Sequence, residues 1–317
     1  MKMEKRKLGN SGLEVSPLVL GGNVFGWTVD ELTAFKLLDA FVSSGFNFID
    51  TADSYTSWVP GSNGGDSETI IGKWLKRSGN RDQVVIATKV GNEMGPGKKG
   101  LSKSYILRAV EASLQRLQTD HIDLYQSHID DLETPMEETL EAFAELIERG
   151  KVRAIGASNY AADRLSKALQ VSQEYGLPRY ESLQPLYNLH DRFDFENKLE
   201  GICLKEGVGV ISYSSLASGF LTGKYRCEAD LSKSVRGVDI REYLSPRGFR
   251  MLNALDQVAK EHSSTPSRVA LAWLLARPSV TAPIASATNL EQLNDLMAST
   301  NLMLDRASLE LLNQASA

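Results

Sequence analysis

Short apolar segments typical of β-strands alternate with segments of helical periodicity along almost the whole chain. The strand-like segments are residues 18–20, 46–49, 84–88, 122–125, 152–155, 181–183, 208–211 and 280–284. A helical pattern follows each of them, as at residues 103–117, where apolar side chains recur every three or four positions. Helices of this kind connect parallel strands, and eight consecutive units close into a ring. The sequence therefore predicts an α/β fold, a (β/α)8 TIM barrel that spans residues 1–317 as a single domain.

Segments outside the eight units have their own patterns. Residues 5–8 and 14–16 flank the turn sequence Gly9-Asn10-Ser11-Gly12, which predicts an N-terminal β-hairpin that caps one end of the barrel. The segment 212–247 is rich in Gly and Ser and is predicted to be a loop with short turns, and a connection of this length is usually functional. Helical patterns at 249–262, 266–276, 290–298 and 306–312 predict extra helices near the C-terminus.

Composition excludes several classes of function. The formal net charge is −5, with 42% apolar and 24% charged residues, so neither nucleic acid nor an anionic membrane is an expected partner. The charged N-terminus has no signal-like apolar region, and the apolar run 269–276 is too short to span a bilayer, so we expect a cytoplasmic protein. Cys203 and Cys227 lack the spacing of a zinc site, and no metal ion is predicted.

Four titratable residues lie at or just past the ends of early strands: Asp50, Tyr55, Lys89 and His128. We expect them to lie close together, because the carboxyl ends of barrel strands meet at one face. A cation beside a phenol lowers the phenol's pKa. The sequence therefore predicts an acid–base site in which Tyr55 donates a proton near neutral pH. Lys89 and Asp50 would tune that proton, and His128 would position a carbonyl group.

Each of these residues alone also has an ordinary structural explanation. Strand-end carboxylates and lysines more often form caps or salt bridges than catalytic sites, and Tyr55 also fits a surface aromatic residue. A desolvated Lys89 would also suit a Schiff base, so a barrel aldolase is an alternative, although it leaves Tyr55 without a role.

Small residues mark two further positions at the same end of the barrel. Gly22 and Asn23 follow the first strand, where missing side chains let a ligand approach the backbone. Ser286 and Thr288 follow the last strand and precede a helix, a place where barrels often hold phosphate, although an ordinary capped loop explains them as well. No G-x-G-x-x-G follows a strand, so a Rossmann nucleotide site is not predicted.

Taken in order, these residues resemble the aldo-keto reductase superfamily over essentially the whole chain. The motifs are F-I-D-T-A at 48–52 with Tyr55, A-T-K-V at 87–90, Q-S-H at 126–128, G-A-S-N-Y at 156–160, Q-P-L-Y-N at 184–188 and Y-S-S-L-A-S-G-F-L-T-G-K-Y at 213–225. The subgroup it resembles most is that of bacterial reductases related to potassium-channel β subunits. The resemblance implies an NAD(P)(H)-dependent oxidoreductase that interconverts aldehydes or ketones and alcohols, with Asp50, Tyr55, Lys89 and His128 as its catalytic tetrad.

The resemblance also implies a set of cofactor contacts. Ser158, Asn159 and Gln184 would hold the nicotinamide carboxamide, and Tyr213 would stack on the ring. The other implied cofactor contacts are Gly22, Asn23, Asp50, Ser214, Ser215, Leu216, Ser218, Gly219, Leu221, Lys224, Ser286, Thr288 and Gln292. Of these, the segment 214–224 would wrap the pyrophosphate, and Ser286, Thr288 and Gln292 would face the adenosine 2′-phosphate.

One departure from the family pattern concerns the cofactor. Relatives commonly place Arg or Lys near the 2′-phosphate where this chain has Thr288, and Leu296 stands where an adenine-contacting Asn is common. A phosphate prefers a cationic partner. NADP(H) stays the favoured cofactor if Lys224, Arg226 or another basic residue of segment 212–247 supplies the charge, and NAD(H) is the alternative.

The expected substrate is a small carbonyl compound or alcohol. Phe25, Trp27, Trp58 and Tyr187 lie in segments predicted to rim the barrel mouth, which favours an aromatic or apolar carbonyl compound, although such aromatics equally often anchor loops. The resemblance to channel β subunits adds a further alternative, a cofactor-sensing regulatory subunit with little turnover, because fold and site do not fix physiological role. The sequence does not predict an oligomeric state.

Overall fold

The computed structural model describes residues 4–317 and contains an eight-stranded parallel sheet. Its strands are β3 (Val19–Gly21), β4 (Phe48–Asp50), β5 (Val85–Val90), β6 (Ile122–Ser127), β7 (Val152–Ser158), β8 (Tyr180–Gln184), β9 (Gly209–Val210) and β10 (Ile284–Ala285). Each strand from β3 to β8 pairs with the next one along the chain, and β10 pairs with β3. The backbone N–H groups of Thr281 and Ile284 donate to the carbonyl oxygens of Val210 and Ser212 at 2.8 Å. These bonds join the last strand segment to β9, so the predicted (β/α)8 fold is confirmed.

Helices connect the strands and cover the outside of the sheet. They are α1 (Glu31–Ser43), α2 (Asp66–Ser78), α3 (Lys103–Leu117), α4 (Met136–Glu148), α5 (Ala162–Tyr175), α6 (Glu200–Glu206), α7 (Gly237–Ile240), α8 (Pro246–Glu261), α9 (Pro266–Leu275), α10 (Leu290–Ala298) and α11 (Arg306–Ser316). Helices α5 and α6 end at Gly176 and Gly207, both with φ of 64°. Glycine adopts this left-handed conformation without steric cost, which is why the helices stop there. No helix in residues 4–317 is long and apolar enough to cross a bilayer.

The N-terminal hairpin closes the end of the barrel where the strands begin. Its strands are β1 (Arg6–Lys7) and β2 (Glu14–Val15), which pair antiparallel as predicted. The Arg6 guanidinium donates to the carbonyl oxygens of Val280 and Thr281 at 3.1 and 3.2 Å. Leu8 and Val15 are fully buried and belong to the apolar cluster inside the barrel, together with Phe48 and other strand residues. The opposite end, where the strands finish, stays open for a site.

The C-terminal part differs from the prediction in detail. The helical pattern that follows the strand segment 181–183 forms two elements, a π-helical turn, Phe195–Leu199, and then α6. The segment 212–247 was predicted to be a loop with short turns, and it contains 3-10 turns and the short helix α7. Helix α11 is the extra C-terminal helix, and the Trp273 indole of α9 donates to Asn313 Oδ1 of α11 at 3.0 Å.

Candidate active site

The four titratable residues predicted from strand ends converge at the open end of the barrel. Asp50 is the last residue of β4, Lys89 lies near the end of β5, and His128 follows β6 directly. Tyr55 comes from the loop after β4, and its ring packs against the His128 ring with centroids 6.0 Å apart. The parallel topology explains the convergence, because the carboxyl ends of β4, β5 and β6 are neighbours.

Lys89 lies beneath the site and is fully buried. Its ammonium donates to Asp50 Oδ2 at 2.6 Å, to the Thr51 carbonyl at 2.8 Å and to the Tyr55 hydroxyl at 2.7 Å. An ammonium has three donors, so all three are used. Burial lowers the pKa of Lys89, and the carboxylate of Asp50 raises it in part. Lys89 therefore acts on its surroundings through Tyr55 and Asp50 and not through direct contact with a ligand.

Asp50 is held by four side chains. Its Oδ2 accepts from Lys89 and from the Tyr55 hydroxyl at 3.2 Å. Its Oδ1 accepts from the amide groups of Gln184 at 2.9 Å and Gln126 at 3.3 Å. A buried carboxylate with this many donors keeps one rotamer. No role was predicted for Gln126, which lies on β6 two positions before His128.

The Tyr55 hydroxyl departs from the prediction made for its pKa. The sequence predicted that Lys89 would lower this pKa, but burial of the phenol, followed by the negative charge and hydrogen bond of Asp50, raises it well above its ordinary value. That prediction is wrong, because ionisation would place a phenolate beside a buried carboxylate. Tyr55 consequently holds its proton throughout the neutral pH range.

His128 is held at one ring nitrogen. Its Nδ1 lies 3.4 Å from Ser54 Oγ, and its Nε2 makes no hydrogen bond with any residue of the described chain. Burial, with a smaller contribution from the charge of Lys89, lowers the pKa of His128 well below its ordinary value. The ring is therefore neutral at physiological pH, where it offers Nε2 to a polar ligand group.

A cavity of about 800 Å³ extends from these residues across the end of the barrel. Most of the predicted cofactor residues line it: Asn23, Asp50, Ser158, Asn159, Gln184, Tyr213, Ser214, Ser215, Leu216, Ser218, Gly219, Lys224, Ser286, Thr288 and Gln292. Two predicted contacts do not. Gly22 packs against Ser67, whose Oγ would lie 2.8 Å from an added Cβ, and Leu221 is fully buried in the outer core. The structure corrects these two assignments, and Gly21 lines the cavity in place of Gly22.

The first part of the cavity wall carries amide and hydroxyl groups. Ser158 Oγ donates to the Gln184 carbonyl at 2.9 Å, and Asn159 Nδ2 approaches Ser158 Oγ at 3.2 Å. The Tyr213 hydroxyl donates to Asn159 Oδ1 at 2.8 Å, which fixes the ring at the cavity surface. These groups suit a planar ring with an amide substituent.

The middle part of the wall is a strained turn. Ser214, Ala217 and Ser218 are non-glycine residues in the left-handed region, with φ of 52°, 48° and 54°, and Gly219 follows at 99°. Such strain clusters at ligand sites, where successive amides form concave anion-binding surfaces. The Lys224 ammonium lies beside this turn, 3.7 Å from where a Cβ on Gly219 would stand. Hydroxyls, amides and one ammonium are the donor set that a diphosphate requires, so the residues fit a dinucleotide.

In the far part of the cavity, the described lining residues of α10 and of the loop before it include no cation. Thr288 is exposed, and its hydroxyl donates to Gln292 Oε1 at 3.0 Å. Asp295 lines the cavity here and accepts from Arg268 Nε at 2.7 Å, so its charge is compensated. No role was predicted for Asp295. Its position three residues after Gln292, on the same face of α10, is the sequence signal that could have identified it.

The basic residues of segment 212–247 divide into two groups. Lys224, Lys233 and Arg236 line the cavity. Arg226 does not, because its guanidinium pairs with Asp256 at 2.8 Å on the exposed surface. Basic residues of this segment were expected at the cavity, but Lys233 and Arg236 were not named among them. The path of the segment in the fold decides which of its basic residues reach the cavity.

The four predicted mouth aromatics also divide. Trp58 lines the cavity and is 48% exposed, and its ring contacts Trp27 edge-on at 5.8 Å. Phe25 and Tyr187 are fully buried in the outer core, where Tyr187 packs on Phe195 and Trp273. The prediction that Phe25 and Tyr187 contact substrate is wrong. They anchor loops because burying a large ring stabilises more than exposing it.

Comparison with known proteins agrees with the fold. The profile described as "Aldo/keto reductase family" matches residues 17–317. An uncharacterized oxidoreductase of Bacillus subtilis, YrpG, is 39% identical over 318 residues, covering 98% of this chain and 95% of that protein. A probable voltage-gated potassium channel subunit beta of Arabidopsis thaliana is 32% identical, covering 95% and 92%. L-glyceraldehyde 3-phosphate reductase of Escherichia coli is 31% identical, covering 99% and 92%. With a family match across nearly the whole chain and relatives of this identity along its full length, the chain belongs to the aldo/keto reductase family.

Proposed function

We propose that this protein is an NAD(P)(H)-dependent oxidoreductase that reduces an aldehyde or ketone to an alcohol, or catalyses the reverse reaction. The contact that carries the proposal is the triad of Lys89 Nζ, Tyr55 hydroxyl and Asp50 Oδ2, joined at 2.7 and 2.6 Å at the floor of the cavity. A phenol supported by a buried cation is a proton donor for a carbonyl oxygen. When bound, the nicotinamide cofactor supplies or accepts the hydride.

In the proposed reduction Tyr55 gives its hydroxyl proton to the carbonyl oxygen, which becomes the alcohol. Lys89 stabilises the negative charge that this transfer leaves on the Tyr55 oxygen, since its ammonium already donates to that atom at 2.7 Å. Neutral His128 offers Nε2 to the substrate oxygen and orients it. Gln184 and Gln126 hold Asp50, and through it Lys89, in place.

The experiment that tests this role is Tyr55→Phe. The ring and its packing remain, so the dissociation constant of the cofactor should stay within about twofold. Loss of the acid should lower kcat by about 100- to 10,000-fold. Full turnover in the variant would show that Tyr55 is not the proton donor.

For the cofactor, we propose NADP(H) first and NAD(H) as the alternative. The cations Lys224, Lys233 and Arg236 at the cavity support a cofactor with more negative charge. Thr288 and the compensated Asp295 at the far end support weak discrimination between the two forms.

Two other functions were compatible with the sequence. A Schiff-base aldolase requires Lys89 to reach a substrate carbonyl, and the burial and full hydrogen bonding of its ammonium argue against this. A cofactor-sensing subunit has one supporting observation, the similarity to a protein named a potassium channel subunit beta. Turnover of small aldehydes separates this function from the enzymatic one, because a sensing subunit binds cofactor tightly and turns over little.

A further inference from the structure

Asn188 is a fully buried amide that no part of the proposed mechanism uses. It ends the motif Q-P-L-Y-N in the connection after β8, and no role was predicted for it. Its Oδ1 accepts from the backbone N–H groups of His190 and Asp191 at 2.8 and 2.9 Å. Its Nδ2 donates to Asp191 Oδ2 at 2.9 Å and to the Ser214 carbonyl oxygen at 3.0 Å. The amide therefore uses both of its acceptor sites and both of its donors.

The chemistry of these partners fixes the orientation of the Asn188 amide. Burial acts to raise the pKa of Asp191, but hydrogen bonds from the His190 ring and the Asn188 amide outweigh it and lower that pKa below its ordinary value. Asp191 is therefore a carboxylate, which only accepts hydrogen bonds, as the Ser214 carbonyl does. Exchanging the nitrogen and the oxygen of the amide would replace every one of its hydrogen bonds by a repulsive contact. The Ser214 carbonyl consequently has a fixed donor beneath it.

The Ser214 carbonyl is the point from which the strained turn of the cavity wall starts. Besides Asn188, it accepts from the backbone N–H of Ala217 at 2.7 Å, a bond that closes the turn. Ser214, Ala217 and Ser218 have φ of 52°, 48° and 54°. Non-glycine residues in this left-handed region are strained and persist only where the surrounding structure holds them. Asn188 is such a contact, because it is fully buried and belongs to a different connection.

The same pair of side chains also holds the far end of segment 212–247. The Tyr243 hydroxyl donates to Asp191 Oδ2 at 3.1 Å, and that oxygen also accepts from Asn188. Ser214 lies near the start of the segment and Tyr243 near its end. Both ends of a segment that lines the cavity are therefore bonded to one pair of buried groups.

We propose that Asn188 is a positioning residue for the dinucleotide: by holding the Ser214 carbonyl, it keeps the turn 214–219 in its strained conformation before the cofactor binds. The inference rests on the proposed function, in which this turn receives the diphosphate. Asn188 itself does not line the cavity, so it acts through Ser214. Without this donor the turn relaxes toward unstrained backbone angles, and only the fraction of molecules that keep the strained conformation binds cofactor. The dissociation constant rises as that fraction falls.

Two variants remove the contact in different ways. Asn188→Ala deletes the amide. Asn188→Asp combined with Asp191→Asn exchanges the amide and the carboxylate. In this exchanged pair the total charge stays the same and the hydrogen bond between the two side chains remains with its direction reversed, but no donor faces the Ser214 carbonyl. The exchanged pair therefore tests the contact with Ser214 even if Asn188→Ala does not fold.

The control is Asn47→Ala. Asn47 is also a buried asparagine, and its amide accepts from the Ser16 backbone N–H at 2.8 Å and donates to the Glu14 carbonyl oxygen at 3.0 Å. These contacts lie beside the N-terminal hairpin, at the end of the barrel opposite the cavity. Asn47→Ala should therefore lower the melting temperature as Asn188→Ala does, without changing cofactor binding.

Calorimetric titration measures the dissociation constants of NADPH and NADH. We expect both constants to rise by about 10- to 100-fold in each Asn188 variant, the range for loss of one partner of a buried hydrogen bond, and to stay within about twofold in Asn47→Ala. The two cofactors should lose affinity alike, because both carry the diphosphate. With benzaldehyde as substrate, KM for the cofactor should rise in proportion while kcat at saturating cofactor falls by less than about threefold, because the catalytic side chains keep their contacts.

Unchanged dissociation constants in the exchanged pair would overturn the inference. So would an equal loss of affinity in Asn47→Ala, which would make the effect one of general stability, or a loss confined to NADPH, which would place it at the 2′-phosphate. A wild type that binds neither cofactor would refute both the inference and the proposed function. If affinities change as expected but a panel of small aldehydes and ketones gives no turnover, the inference stands and the proposed reductase activity alone fails.

Discussion

Replacing Asp53 with asparagine tests the electrostatics of the buried layer beside the site. Asp53 is 1% exposed, and neither carboxyl oxygen has a hydrogen-bond partner among residues 4–317. Burial, and then the negative charge of Glu68, raise the pKa of Asp53 to about 8, while Arg116 and Lys89 lower it in part. The carboxyl group is therefore protonated in the folded protein at neutral pH.

The size of the effect follows from linkage between protonation and folding. The unfolded chain titrates Asp53 near 3.8 and the folded chain near 8, so the folded state binds the proton more tightly. The free energy of unfolding consequently falls as pH rises from about 4 to about 8, by about 1.4 kcal/mol for each pH unit. At pH 7 the cost is about 4 kcal/mol. Asparagine cannot ionise, so Asp53→Asn should be more stable than the wild type by about that amount at pH 7 and similar to it near pH 4.

Urea denaturation followed by tryptophan fluorescence between pH 4.5 and 8.5 measures this difference. The control is Asp82→Asn, since Asp82 is an exposed carboxylate that forms no ion pair in the described chain. The control curve should run parallel to that of the wild type. If the Asp53→Asn curve is parallel as well, Asp53 is ionised in the fold and the reasoning from its burial fails.

Three further predictions test other parts of the structure. Burial raises the pKa of Tyr55, so kcat for carbonyl reduction should stay constant from about pH 6 to 9, while kcat for alcohol oxidation should rise with pH. A kcat for reduction that falls with a pKa below about 9 would contradict this. Thr288→Arg should tighten NADPH binding and so raise the ratio of the NADH to the NADPH dissociation constant by about 10- to 100-fold. If the wild type already prefers NADPH a thousandfold and the variant adds nothing, Thr288 does not mark a lost phosphate contact. Gly72→Ala should destabilise the fold by about 1 to 3 kcal/mol, because the new Cβ would stand 2.0 Å from the Arg116 carbonyl oxygen. Gly201→Ala, with open space around it in α6, should gain about 0.5 to 1 kcal/mol, and equal melting temperatures for the two variants would refute the steric argument.

Local sequence determined the architecture and singled out the four titratable residues at the strand ends. Apolar periodicity is a property of neighbouring residues, so the eight strands and the helix ends at Gly176 and Gly207 were predictable from segments of a few residues. The convergence of Asp50, Lys89 and His128 followed from topology alone, because parallel strands in a barrel bring their carboxyl ends together.

Tertiary structure decided what depends on groups far apart in the chain. The four donors to Asp50 come from three strands and a loop, and the resulting burial reversed the expected direction of the Tyr55 pKa. Pattern alone also did not distinguish buried Phe25 from half-exposed Trp58, since both are aromatics in connecting segments. The path of segment 212–247 places Arg236 at the cavity and Arg226 outside it. The electrostatic potential, burial and solvent access of a side chain depend on its distances to all surrounding groups, and a linear sequence does not contain those distances.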